Sequence, residues 1–211
     1  QRTPIKKNDL PNLVSAIQSG KEDELFFVGK QTILDHTSMS LSQSKYQTID
    51  APVSDYTIVS IGEYCDLTTG GTPSTSEPLN YENGEIPWLV SGDIHKGIIR
   101  DCVGRISERG LESSNAKYLP RDSVLIALNG QGKTRGTVAL LKMVATCNQS
   151  LVAIKPKEAG TLDSTFLFFC LRAIYQQIRE ITGDRQRSGL NMPVIKNIKI
   201  PLPPIETQQQ I

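Results

Sequence analysis

The chain has 211 residues, 38% of them hydrophobic and 6% aromatic, with a formal net charge of +1. That length buries a sizeable core without disulfides or metal, which excludes a stapled miniprotein, and it suits one domain with or without an appendage. The longest purely apolar run, Phe166 to Leu171, is far short of a bilayer span, so no membrane protein is expected. Cys65, Cys102, Cys147 and Cys170 stand too far apart for a zinc knuckle or redox dithiol. They read as reduced thiols of a cytoplasmic protein that carries no secretion leader.

The small net charge conceals an asymmetry. Residues 1–120 carry 11 Lys and Arg against 16 Asp and Glu, whereas residues 121–211 carry 12 against 6. A field segregated in this way can present one basic face to a polyanion.

Residues 1–55 are polar, with a weak helical stretch at 10–17, a short strand at 26–33 and a Ser/Thr-rich segment at 36–46. They read as a tail or linker. From Tyr56 onward, short apolar runs cut by Gly, Pro and Asn predict strands over 57–61, 86–90, 98–103, 123–128, 136–141, 151–155 and 194–202. A short helix is expected over Ser107–Ser113. A long one is expected from an Asp163 or Ser164 cap to Gly183, with Leu167, Leu171, Ile174, Ile178 and Ile181 forming one apolar stripe. The expected fold class is α+β: a compact mixed or antiparallel sheet domain with one long core helix.

Ala127-Leu-Asn-Gly-Gln-Gly-Lys-Thr134 fits a permissive phosphate-loop pattern. That chemistry needs a helix to start at Lys133-Thr134 so that its N–H groups face the phosphate. Arg135-Gly-Thr-Val138 favours a second strand instead, so a loop between two strands is predicted. Such a loop places Asn129, Gln131, Lys133, Thr134 and Arg135 on one short connection. Amides of this kind read adenine edges, and the cations read guanine or hold phosphate, but a merely polar basic hairpin explains the same residues. Thr72 and Ser74 in Thr68-Thr-Gly-Gly-Thr-Pro-Ser74 offer hydroxyls in the same manner, or build a tight turn. A third polar loop carries Arg185, Gln186, Arg187, Ser188 and Asn191. Together the three loops point toward nucleic acid. No nucleophile–base pair, paired catalytic carboxylates or DNA amino-methyltransferase motif is present in the sequence, and Asp93, the most suggestive carboxylate, has no partner in it. Catalysis by this chain alone is not expected.

The order of the motifs carries a resemblance. Gly70-Gly-Thr-Pro-Ser74 is followed by Ile86-Pro-Trp-Leu89, Ser91-Gly-Asp-Ile94, Lys117-Tyr-Leu-Pro120, Ser123-Val-Leu-Ile-Ala127, Asn148-Gln149 and Ile198-Lys-Ile-Pro-Leu-Pro-Pro-Ile205. Over residues 56–211 this series resembles a target recognition domain of the specificity subunits of type I restriction-modification systems. The resemblance implies a recognition domain at 56–200 and the start of a spacer helix at 201–211. Residues 1–55 are similar to the end of an adenine methyltransferase subunit, through Phe26-Phe-Val28, Ile33 and Leu41-Ser-x-Ser-x-Tyr46. Two parents stay open: a separate specificity subunit, or the recognition part of a fused restriction and methyltransferase polypeptide.

The implied function is sequence-specific recognition of double-stranded DNA that directs an adenine-N6 methyltransferase, with an associated endonuclease, to its target. The implied partners are double-stranded DNA, the methyltransferase and a restriction translocase or nuclease subunit. No metal or cofactor is expected in this chain, S-adenosylmethionine belonging to the methyltransferase. The DNA contacts implied are Thr72, Ser74, Asn129, Gln131, Lys133, Thr134, Arg135, Arg185, Gln186, Arg187, Ser188 and Asn191. The rival readings are a protein-interaction module without DNA binding and, more remotely, a nucleotide-binding phosphate loop.

Overall fold

The computed structural model describes residues 55–130, 133–181 and 190–211. The elements expected within 1–54 lie outside these residues, as do Gln131, Arg185, Gln186, Arg187 and Ser188.

In chain order the elements are β1 (Ile58–Ser60), α1 (Ile61–Tyr64), β2 (Cys65–Thr69), a 3-10 turn (Pro78–Asn80), β3 (Ile86–Leu89), a second 3-10 segment (Ser91–Lys96), β4 (Ile98–Ile99), β5 (Arg105–Ile106), α2 (Glu108–Glu112), β6 (Val124–Ala127), β7 (Val138–Leu141), β8 (Thr146–Cys147) and β9 (Leu151–Pro156). They continue as α3 (Ser164–Ala173), α4 (Tyr175–Ile181), α5 (Met192–Lys196), β10 (Lys199–Pro201) and α6 (Ile205–Gln208). This mixture of helix and sheet is the α+β class expected.

The central sheet has the order β2-β9-β6-β7-β4, antiparallel except for the parallel β7–β4 pair. Its strands alternate between two buried faces, as a two-residue period requires. Val124, Ile126, Val138, Leu140, Val152 and Ile154 meet Phe166, Leu167, Leu171, Ile174 and Ile178 of the α3–α4 segment. Leu125, Ala127, Ala139, Leu141, Leu151 and Ala153 turn the other way and meet Leu89, Ile94, Ile99 and Leu119. Burial on both sides explains why these strands read as unbroken apolar runs. A three-stranded sheet, β5-β3-β8, covers the second face, and the β1–β10 ribbon brings the start of the described domain beside its end.

Three expectations need correction. The single helix to Gly183 is two helices, divided at Ile174, whose φ of −95° and ψ of 14° leave the helical range. Its apolar stripe nevertheless survives the break, because Ile174 and Ile178 stay buried on the same side. The strand over 194–202 begins as α5, because Asn191 caps it by accepting from the Val194 amide at 3.1 Å and Pro193 suits the first turn. Only Lys199–Pro201 is strand. The strand over 98–103 ends after Ile99, where the Lys96 ammonium takes the Asp101 carbonyl at 2.9 Å and holds a turn.

Candidate nucleic-acid interface

The sheet register decides which loops are neighbours. Thr69 pairs with Val152, Ala127 with Leu151, Ile126 with Val138, and Ile98 with Leu140. The end of β2, the start of β9 and the β6–β7 connection therefore share one end of the sheet, and the segment before β4, which runs parallel to β7, reaches it through His95 beside Thr134. Four segments far apart in sequence gather there: residues 70–74, residues 148–150, the described residues of 128–137 and the 3-10 segment Ser91–Lys96.

Side chains and backbone link them. The Thr72 hydroxyl donates to Gln149 Oε1 at 2.6 Å, and the Leu128 amide donates to the Ser150 carbonyl at 2.8 Å. The Gly70–Gly71 pair is a packing requirement, since a Cβ on Gly70 would lie 1.7 Å from the Cys147 carbonyl oxygen. Trp88 Nε1 donates to the Gly71 carbonyl at 3.0 Å, and the Tyr81 hydroxyl donates to the Pro73 carbonyl at 2.6 Å. That framework leaves Thr72 and Ser74 exposed, with the Ser74 hydroxyl paired to Ser76 at 2.7 Å.

The β6–β7 connection is the inter-strand loop expected, closed by Gly136 N–H to the Ala127 carbonyl at 2.9 Å. Residues 133–136 form turns and β7 follows, so no helix begins at Lys133 and the phosphate-loop reading loses its anion site. Asn129 and Lys133 are exposed; Thr134 and Arg135 are half-buried. Thr134 Oγ1 and His95 Nε2 lie 3.0 Å apart. The Lys133 carbonyl accepts the Tyr175 hydroxyl at 2.9 Å and also the Thr137 hydroxyl. Tyr175 in turn accepts from Arg179 Nη1 at 3.0 Å, with the guanidinium carbon 5.6 Å from the ring centroid. The hairpin is thus held from two sides, by the segment before β4 and by the helical layer.

Arg172, Tyr175, Arg179 and His95 escaped the sequence reading. Spacings of 3 and 4 residues put the first three on a second stripe, one position off the apolar one. Only the fold shows that it runs beside the hairpin. Asn191, expected as a DNA contact, is the cap of α5. Asp93 is structural as well: it accepts the Val90 amide at 3.0 Å and pairs with Lys96 at 3.3 Å.

Carboxylates hold some of the surface cations. Lys96, Arg109, Arg121 and Lys142 all sit in ion pairs. Among the described residues, neither Lys133 nor Arg172 pairs with a carboxylate. Both line a cleft of about 340 Å³ together with His95, Thr137, Val138 and Tyr175. Among the described residues no cluster of His, Cys, Asp or Glu is placed to hold a metal, and no helix is long and apolar enough to cross a membrane.

Residues 53–211 match the family model of the type I restriction modification DNA specificity domain. The chain belongs to this family. It is 27% identical over 157 residues to the type I restriction enzyme EcoR124I/EcoR124II specificity subunit of Escherichia coli, a match covering 72% of this chain and 38% of that one. It is 25% identical over 160 residues to the MjaIX specificity subunit of Methanocaldococcus jannaschii, covering 74% and 36%. The specificity-domain fold is also similar to the crystal structure of the HsdS subunit from Thermoanaerobacter tengcongensis, with a TM-score of 0.56 at 18% identity over 96% of this chain and 46% of that one. For the S subunit from M. genitalium the TM-score is 0.55 at 19% identity, over 95% and 47%. The matched regions amount to little more than a third of these curated relatives.

Proposed function

We propose that this specificity domain recognises one short sequence in double-stranded DNA and thereby fixes where an adenine-N6 methyltransferase, with its associated restriction subunit, acts. The observation that carries this reading is the gathering of polar loops from four parts of the chain at one end of the sheet, beside Lys133 and Arg172, which pair with no carboxylate among the described residues. Cations and amides of the loops set register on the phosphates, and Asn129, Thr134 and Arg135 test base edges. A bidentate arginine–guanine or asparagine–adenine contact contributes about 1–3 kcal/mol of discrimination, so two or three of them define a short motif. Flipping and methylating the target adenine falls to the methyltransferase, which also holds S-adenosylmethionine. Residues 201–211, from the last residue of β10 through α6, are read as the start of the spacer that leads toward that partner.

The test is selection from a randomised duplex library at low salt, followed by sequencing of the retained fraction. Enrichment of one short motif is the expected result. Retention of duplexes without enrichment would reduce the domain to a basic surface, and no retention would favour a protein-interaction module.

A further inference from the structure

The cleft between the hairpin and the helical layer has a chemistry of its own. Its rim carries two cations from different elements, Lys133 on the β6–β7 connection and Arg172 near the end of α3. The Arg172 guanidinium lies 5.3 Å from the Phe168 ring centroid. A contact with an aromatic ring uses none of the guanidinium's N–H donors, which stay available to an anion. Like charges brought to one concave site raise the local potential, and an anion seated between them relieves the repulsion.

The wall of the cleft is braced. Lys133 is fixed through its carbonyl by Tyr175, which Arg179 holds, and the next residue, Thr134, is fixed by His95 at 3.0 Å. A bound anion therefore meets a cation whose backbone is already placed, so only side-chain rotamers remain to be ordered.

We infer that this cleft seats one backbone phosphate of the bound duplex, held by Lys133 and Arg172, with Tyr175 and Arg179 as positioning residues that keep the hairpin at the height where its tip meets the bases. The inference rests on the DNA-recognition reading and adds a division of labour to it. Arg172 and Lys133 supply affinity that is blind to sequence. Tyr175 supplies specificity without touching a base.

The experiment measures duplex affinity of the full chain against salt for the wild type, Arg172→Ala, Lys133→Ala, Tyr175→Phe and a control, Arg121→Ala, which removes a cation at the opposite end of the sheet. Arg172→Ala and Lys133→Ala should each flatten the slope of log K against log salt in part, their double variant by about 0.9 for the one phosphate they share, and each should weaken all duplexes alike. Tyr175→Phe should keep the slope and narrow the affinity ratio between the selected motif and scrambled duplex. Arg121→Ala should leave the slope unchanged. A wild type that binds no duplex defeats the recognition reading and this inference together. Wild-type binding with unchanged slopes in Arg172→Ala and Lys133→Ala, or an equal loss in Arg121→Ala, defeats the phosphate seat alone. Calorimetry with inorganic phosphate is the second arm. Sub-millimolar binding that Arg172→Ala abolishes, with no change in duplex slope, would make the cleft a small-anion site and overturn the assignment.

Discussion

The Tyr175 hydroxyl donates to the Lys133 carbonyl at 2.9 Å across 42 positions of sequence, and this bond ties the helical layer to the β6–β7 hairpin. It is the point at which the core-facing segment of the fold reaches the loop that faces outward. Tyr175→Phe removes only the oxygen and leaves the ring for Arg179 to stack on. We expect a loss of about 0.5–1.5 kcal/mol in chemical denaturation, typical of one hydrogen bond. Amide exchange at Lys133–Thr137 should quicken while that of β6 and β9 stays slow.

Gly70 has no room for a side chain. A Cβ there would sit 1.7 Å from the Cys147 carbonyl oxygen and 2.8 Å from the Cys147 sulfur. No rotamer relieves a clash with backbone, so Gly70→Ala must part β2's exit from β8. The expected cost is at least about 1–3 kcal/mol, seen as a lowered Tm. Gly92→Ala is the matching control, because nothing lies within 4 Å of its Cβ and its backbone is ordinary. Its Tm should stay within the range of a neutral surface substitution.

Gln208 anchors the C-terminal helix. Its Oε1 accepts the Asp163 amide at 2.8 Å, and its Nε2 donates to the carbonyls of Thr161 and Pro203 at 3.0 and 2.8 Å. The side chain is 1% exposed, so water cannot replace these bonds. Gln208→Ala should cost about 1–3 kcal/mol for each polar group stranded without a partner. Gln208→Glu should rescue only the bond to Asp163, leaving both carbonyls without donors, and denaturation midpoints would rank the three proteins.

Acid should remove one defined contribution. Asp122 accepts the Lys142 ammonium at 2.7 Å, and this hydrogen bond holds its carboxyl below the ordinary value of 3.8. A pKa lower in the folded state means that the stabilisation is complete above the unfolded value and is lost as pH falls through the folded one. The window is thus below about pH 4. Asp122 has φ of 63°, which asparagine also tolerates. Asp122→Asn should therefore keep the turn, lower stability at neutral pH, and flatten the stability-against-pH curve in that acid window.

Burial guards the thiols. Desolvation pushes Cys65 and Cys147 up to about 12 and Cys170 up to about 11, although Lys157 opposes the shift at Cys65. At pH 8 all three are protonated and poorly nucleophilic. Native protein should react with iodoacetamide at these positions far more slowly than unfolded protein, as mass spectrometry of the alkylated peptides would report.

The sequence by itself determined the strand-forming runs at 123–128, 136–141 and 151–155, the α2 turn, the family and the loop nature of the glycine-rich segment. Each of these depends on local physics: apolar density, β-branching, a capping serine, or glycine where a helix would have to begin. The sequence reading missed β2, whose Cys-Asp-Leu-Thr-Thr composition is too polar to announce a strand and becomes one by pairing with β9. It likewise missed the break at Ile174 and the α5 turn, where packing and the Asn191 cap override the β-branched run that follows. The tertiary structure alone decided the interface. Register in the central sheet sets Thr72, Asn129 and Lys133 at one end, the contact with Thr134 adds His95, and the α3–α4 segment lays Arg172 and Tyr175 beside them. Such neighbours are made by pairing strands up to 91 positions apart within the central sheet, as Cys65 and Pro156 are, and no pattern within a window of sequence records a contact of that range.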